Sequence, residues 1–203
     1  MFRSILISLV SLLLVLGVTL PLHADYPSPS PYPVSWELDL TYQLPKRILV
    51  DTGNGPKAYW YFTYHVTNNT DRDKVMFYPS FDMMTAAGTV VRSDNNISPK
   101  VFQAIKDKEH IKYLQDANSI GGELLQGEDQ SRDGVAIWPE PDSRMGSFTI
   151  FASGFWGEAA TVKVGDKETI VHKTLQNTYH LDADSANADS GQVKLLDSEY
   201  VMR

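Results

Sequence analysis

The chain reads as an antiparallel all-β sandwich with one helical insertion, and three observations predict it. Short runs rich in Val, Ile, Thr, Tyr, Phe and Trp recur through residues 34–203. Turn signals built from Gly, Asn and Pro separate those runs at short intervals. Only residues 98–114 carry an apolar stripe at helical spacing.

Residues 34–42 alternate apolar and polar side chains, the mark of a half-buried strand. Residues 46–51 form a shorter strand, and 52–56 supply a turn in which glycines take positive φ and Pro56 ends the ladder. Residues 58–67, Ala-Tyr-Trp-Tyr-Phe-Thr-Tyr-His-Val-Thr, are apolar on both faces and belong at the centre of a sheet. After a tight turn at 68–71 come strands at 74–78 and 80–85, interrupted by Pro79, then a turn at 87–88 into 89–92. In the helical insertion Ser98 is the N-cap and Pro99 the first helical residue, with Val101, Phe102 and Ile105 as its stripe. Ile111 and Leu114 extend that stripe imperfectly, so the segment is one helix or two short ones bent near Asp107. Strands resume at 123–125, 134–138, 147–152 and 160–164. Residues 168–175 and 178–181 read as a hairpin about Gln176-Asn177, and 192–196 and 200–202 close the chain.

Residues 1–24 are a signal peptide: Arg3 supplies the charged start, residues 5–20 the apolar core and Ala24 the small residue before the junction. Leu22 stands where a smaller residue is commoner, so an uncleaved leader is the alternative. The chain is therefore expected to be exported, periplasmic or secreted. Residues 25–33, Asp-Tyr-Pro-Ser-Pro-Ser-Pro-Tyr-Pro, are a proline-rich tether expected to stay extended and unpacked. Residues 34–203 are then a single domain.

The 203 residues contain no cysteine, which excludes disulfides, a lipid-anchoring cysteine and thiol chemistry. Asp and Glu number 25 against 18 Lys and Arg, a net charge of −7. Phosphate backbones and anionic lipid surfaces would repel such a chain, so neither nucleic acid nor a membrane is expected as a partner.

Residues 59–71 leading into Phe77-Tyr-Pro79, then 124–129, 133–138, 173–176 and the terminal Tyr200-Val-Met-Arg203, resemble a family of uncharacterised signal-peptide-bearing proteins of planctomycete-type bacteria. More loosely, the Val-Thr-Asn-Asn-Thr-Asp turn after the aromatic strand resembles exported immunoglobulin-like β-sandwich domains of bacteria. The first resemblance implies no activity. The second implies an immunoglobulin-like sandwich.

The residues raise four chemistries. No serine sits in a Gly-x-Ser-x-Gly elbow, and beyond the leader the only histidines are His65, His110, His172 and His180. On the expected hairpin His172 and His180 would be neighbours, but zinc needs further ligands that stand nowhere close in sequence. Residues 182–189 space oxygens as calcium likes, yet Asn187 and Val193 occupy the places of the glycine and the bidentate glutamate of a calcium loop. No metal or cofactor is therefore expected. Glu123, Glu128, Asp129, Asp133, Glu140 and Asp142 offer paired carboxylates for glycoside hydrolysis, with Glu128, Asp129 and Asp133 as the densest cluster, though Arg132 and Arg144 are placed to neutralise them.

The aromatic strand offers a surface instead. Trp60, Phe62, Tyr64 and Val66 share one face, the natural core. Tyr59, Tyr61 and His65 share the other, which either lies under the helical insertion or is exposed as a binding surface. The expectation is an exported, non-catalytic module binding a protein or a glycan. The alternatives are a hydrolase using the 123–142 carboxylates and a structural cell-envelope component.

Overall fold

The computed structural model describes residues 26–53, 55–141, 145–182 and 193–203. The leader, Asp142, Arg144 and all of the 182–189 loop but Asp182 lie outside the described residues.

Two antiparallel sheets face each other. The smaller contains β1 (Asp39–Tyr42), β2 (Lys46–Asp51), β3 (Pro56–Thr67) and β8 (Arg132–Pro139). β3 is central, with β8 along one edge and β1 and β2 end to end along the other. Tyr42 pairs with Tyr64 and Lys46 with Tyr61, so residues 43–45 face only two residues of β3. Pro45, which has no N–H to donate, sits in that bulge.

The larger sheet contains β5 (Ser80–Thr85), β6 (Val90–Arg92), β9 (Ser147–Ser153), β11 (Lys167–Leu181) and β12 (Val193–Met202) in the order β6-β5-β9-β11-β12. β10 (Ala159–Val164) folds onto the start of β11 as a hairpin. β4 (Lys74–Phe77) and β7 (Gly122–Leu125) form a separate two-stranded ribbon. The chain is thus an all-β antiparallel sandwich with a helical insertion, as its patterning predicts.

The inward side chains of β3 make the main core. Trp60, Phe62, Tyr64 and Val66 pack against Phe81 and Met83 of β5, Phe148 and Ile150 of β9 and Tyr179 of β11. Trp60 lies 5.4 Å from Phe148 between ring centroids, and Tyr64 4.9 Å from Phe81. On the outer face of the smaller sheet, Ile48, Tyr59, Tyr61, Val135 and Ile137 meet Val101 and Ile105 of α1 (Pro99–Glu109) in a second core. Ser98 caps α1 by accepting from the Lys100 N–H, and Pro99 occupies its first turn. The helix stops earlier than its stripe predicts, because His110 turns left-handed at φ 55°. Leu114 and Ile111 still join the second core from the irregular segment that follows, and Asp116 caps the single turn α2 (Ala117–Ile120).

Four local expectations change. The strand expected over 34–42 splits: Glu37 bridges to Trp156 beside the larger sheet, while 39–42 joins β3. The hairpin expected at Gln176-Asn177 is one continuous strand, β11, because the Asn177 amide is satisfied inside the sandwich and donates to the Tyr179 hydroxyl at 3.1 Å. The closing runs are likewise one strand, β12. The proline-rich segment is anchored, since the Ser30 N–H donates to Glu158 Oε1 at 2.8 Å.

Candidate functional site

Of the two placements open to Tyr59 and Tyr61 the structure takes the covered one, so they form no exposed binding surface. Tyr59 is 8% exposed and Tyr61 fully buried, because α1 lays its apolar stripe over exactly that half of the face that lacks polar side chains. The Tyr61 hydroxyl donates to Glu109 Oε1 at 2.5 Å, and Glu109 Oε2 takes the Lys46 ammonium at 2.7 Å. Burial, with that carboxylate against it, pushes the Tyr61 phenol far above its usual range. Burial works to raise Glu109 as well, but the hydrogen bonds from Lys46 and Tyr61 win and hold its carboxyl low. This is a clamp between helix and sheet.

His65, the third residue of that set, stays exposed beyond the end of α1, and the structure joins it to one member of the acidic cluster. Asp133 is its direct cross-strand partner, with Oδ1 2.8 Å from His65 Nδ1. Thr67 Oγ1 lies 3.4 Å from His65 Nε2 and 2.9 Å from Ser131 Oγ, while the Ser131 hydroxyl donates to the Glu128 carbonyl. An Asp-His-hydroxyl chain of this form has the order of a nucleophilic relay. Here Thr67 is buried and Ser131 is turned into its own loop, so the chain ties β3 to β8.

The other described carboxylates of the 123–142 region are kept apart from one another. Glu123 pairs with Lys74 at 2.7 Å, and Glu140 takes Arg47 in a two-pronged contact at 2.7 and 3.0 Å. Glu128 and Asp129 sit in a surface 3₁₀ turn, apart from both. Arg132 does not neutralise this loop; it donates to the backbone carbonyls of Ile120 and Glu123. His172 and His180 are not neighbours either. Both lie on β11, about 27 Å apart at roughly 3.4 Å per residue. Among the described residues no group of three or more His, Asp or Glu side chains is arranged to hold a metal ion.

The concave surface lies elsewhere, where the N-terminal segment crosses the end of the larger sheet. Trp36, Met76, Tyr78, Trp156 and His172 surround a cleft of about 340 Å³. Two glycines make it. A Cβ on Gly157 would stand 2.4 Å from Trp36 Nε1, so only glycine lets the indole lie against the backbone there. Gly154, at φ +90°, brings the chain under Tyr78, whose carbonyl oxygen would be 2.3 Å from a Cβ. The Tyr78 ring is left 63% exposed above the cleft.

Trp156 also borders a second cleft of about 410 Å³, between β1 and β12, with Glu37, Asp39, Leu40, Tyr42, Leu175 and Tyr200. Beneath it the buried Lys173 of β11 ties the N-terminal segment to the larger sheet. Its ammonium lies 2.6 Å from Glu37 Oε1, 3.9 Å from Glu158 Oε2 and 4.7 Å from the Tyr200 ring centroid. Burial raises the Tyr200 phenol above its usual range, with the Lys173 charge opposing.

Sequence reasoning did not find these clefts. The one local signal was Gly154-Phe-Trp-Gly157 just after a strand, since glycines flanking an aromatic pair mark close backbone approach. Trp36 and Tyr78 come from distant segments: the pairing of residues 36–38 with 155–157 brings the first, and the pairing of β5 with β9 the second. No protein-family model, curated protein or solved structure matches the chain.

Proposed function

We propose that this protein is an exported, non-catalytic binding module of immunoglobulin-like type whose ligand is a glycan held in the aromatic cleft. The observation that carries the reading is the convergence of Trp36, Tyr78 and Trp156 on one cleft, with His172 and Ser153 at its rim. Aromatic faces pack against the C–H faces of sugar rings, and a few polar groups around them fix orientation. The leader at 1–24 supports export, where glycans are the common environment. The sheet order supports the immunoglobulin-like assignment: β1/β2-β3-β8 against β6-β5-β9-β11 corresponds to strands A-B-E against C′-C-F-G of that fold.

Retention on immobilised polysaccharides tests the reading. The unaltered protein is expected to be retarded by at least one of them, and Tyr78→Ala to abolish the retardation without shifting the unfolding midpoint, because that ring is exposed. Equal retardation of the two proteins sinks the proposal.

A further inference from the structure

We propose that the free edge of β1 accepts an extended basic peptide as an added strand of the smaller sheet, seated in the cleft under β12. This rests on backbone geometry and is independent of the aromatic-cleft reading.

Along residues 36–43 the backbone groups alternate in direction. The Gln43 N–H donates to the Thr63 carbonyl at 3.0 Å, so the odd-numbered residues of this strand turn their N–H and C=O groups toward β3. The even-numbered ones turn away. At the start of the strand that outer edge is already taken by another stretch of the same chain. The Leu38 N–H donates to the Phe155 carbonyl and the Gly157 N–H to the Trp36 carbonyl, both at 2.9 Å. Past Phe155 the antiparallel partner runs back through Gly154, at φ +90°, into Ser153 of β9 in the larger sheet, and among the described residues no strand continues along Leu40 and Tyr42. An edge that accepts a strand over three residues and then lies open is a template for another.

The space beside it is the 410 Å³ cleft. β12 has no counterpart in the smaller sheet, so the inward-facing Leu195 and Tyr200 remain 41% and 45% exposed. A strand laid along Leu40 and Tyr42 would cover them with alternate side chains. The charged residues lining the cleft are Glu37 and Asp39, with no basic side chain among the lining residues, and the chain as a whole is acidic. Lys173 lies below, engaged with Glu37 and Tyr200. A peptide with positive side chains on its solvent face and apolar ones toward Leu40 and Tyr200 matches this lining, with Leu195 beyond it.

The test uses the full chain and a capped heptapeptide of alternating lysine and valine. Saturable binding is expected, with at least tenfold weaker binding of the glutamate-valine analogue and of a lysine-valine peptide N-methylated at alternate amides. On binding, exchange of the Leu40 and Tyr42 amide hydrogens should slow at least tenfold. Leu40→Pro removes one outward N–H without touching the β3 ladder, and should weaken binding at least tenfold. Should that variant fail to fold, the exchange measurement on the unaltered protein decides alone. No binding of the lysine-valine peptide, equal binding of the N-methylated one, or unchanged exchange at Leu40 and Tyr42 overturns the proposal. Tyr78→Ala is expected to keep peptide affinity; loss of it would move the peptide into the aromatic cleft and overturn this assignment too.

Discussion

The two edges of the smaller sheet are finished in opposite ways. At the β8 edge the chain returns twice to close the ladder: Asp94 exchanges bonds with Ile137 through its N–H at 2.7 Å and its carboxylate at 3.2 Å. Gln115 does the same with its backbone, donating to the Asp133 carbonyl at 2.9 Å and accepting from the Val135 N–H at 3.3 Å. At the β1 edge the chain closes only residues 36–38 and leaves Leu40 and Tyr42 facing a cleft. Exposed edges invite association, and proteins usually cover them. A protein that covers one edge with two separate loops and leaves the other open beside a polar, aromatic cleft has separated stability from accessibility.

Four tests sharpen or break that contrast, in falling order of effect. Val135→Pro removes an N–H bonded across the closed edge and disturbs a fully buried side chain, so a loss of at least about 3 kcal/mol is expected in denaturant unfolding. Lys173→Met is next, at about 3 kcal/mol, because it strands the Glu37 and Glu158 carboxylates around an apolar chain. Adding Glu37→Gln to Lys173→Met should cost less than the two single changes summed; additive losses would show that the two groups do not couple.

Asp94 gives the third prediction, read as a dependence on pH. Burial pushes its carboxyl up to about 6 from the ordinary 3.8, against the hydrogen bonds from Ser93 and Ile137 and with Asp116 adding to the rise. The folded protein therefore holds this proton more tightly than the unfolded chain does. The stability it contributes is complete below about pH 4 and lost as pH rises through about 6. Asp94→Asn keeps the acceptor oxygen for Ile137 and removes the charge. It should gain about 2 kcal/mol on the unaltered protein between pH 4 and pH 7, and parallel stability curves would refute the buried charge. Smallest is Leu40→Pro, expected to cost about 1–2 kcal/mol, because its N–H points away from β3 and only the packing of its half-buried side chain on the main core is lost. A loss as large as that of Val135→Pro would show the β1 edge to be closed after all.

Much of the fold was legible because its signals are local. The β-branched and aromatic runs at residues 46–51, 58–67, 134–138 and 147–152, bounded by turn signals, placed the strands of both sheets near their observed bounds, and Ser98-Pro99 placed the start of α1. Trp60, Phe62, Tyr64 and Val66 were assigned to the core by alternation alone, and they form it. What misled was polarity taken at face value. Gln176-Asn177 looks like a turn until Tyr42 and Tyr179 surround the Asn177 amide inside the sandwich, and the serines of the proline-rich segment look solvated until Glu158 accepts from Ser30. For Tyr59 and Tyr61 the sequence favoured a second core over a binding surface, because the apolar stripe of the helical insertion needed a face to cover. The decision fell to α1, which is some forty residues distant in sequence.

By itself, then, the order of residues determined which segments extend, which one coils, and which face of the aromatic strand is driest, since these follow from side-chain period and backbone freedom within a few neighbours. Only the tertiary structure decided where concavity lies. Trp36, Tyr78 and Trp156 meet because residues 36–38 pair with 155–157 and β5 pairs with β9. The cleft under β12 exists because the larger sheet carries one strand more on that side than the smaller. Both are consequences of strand pairing between distant segments, a choice that local pattern does not encode.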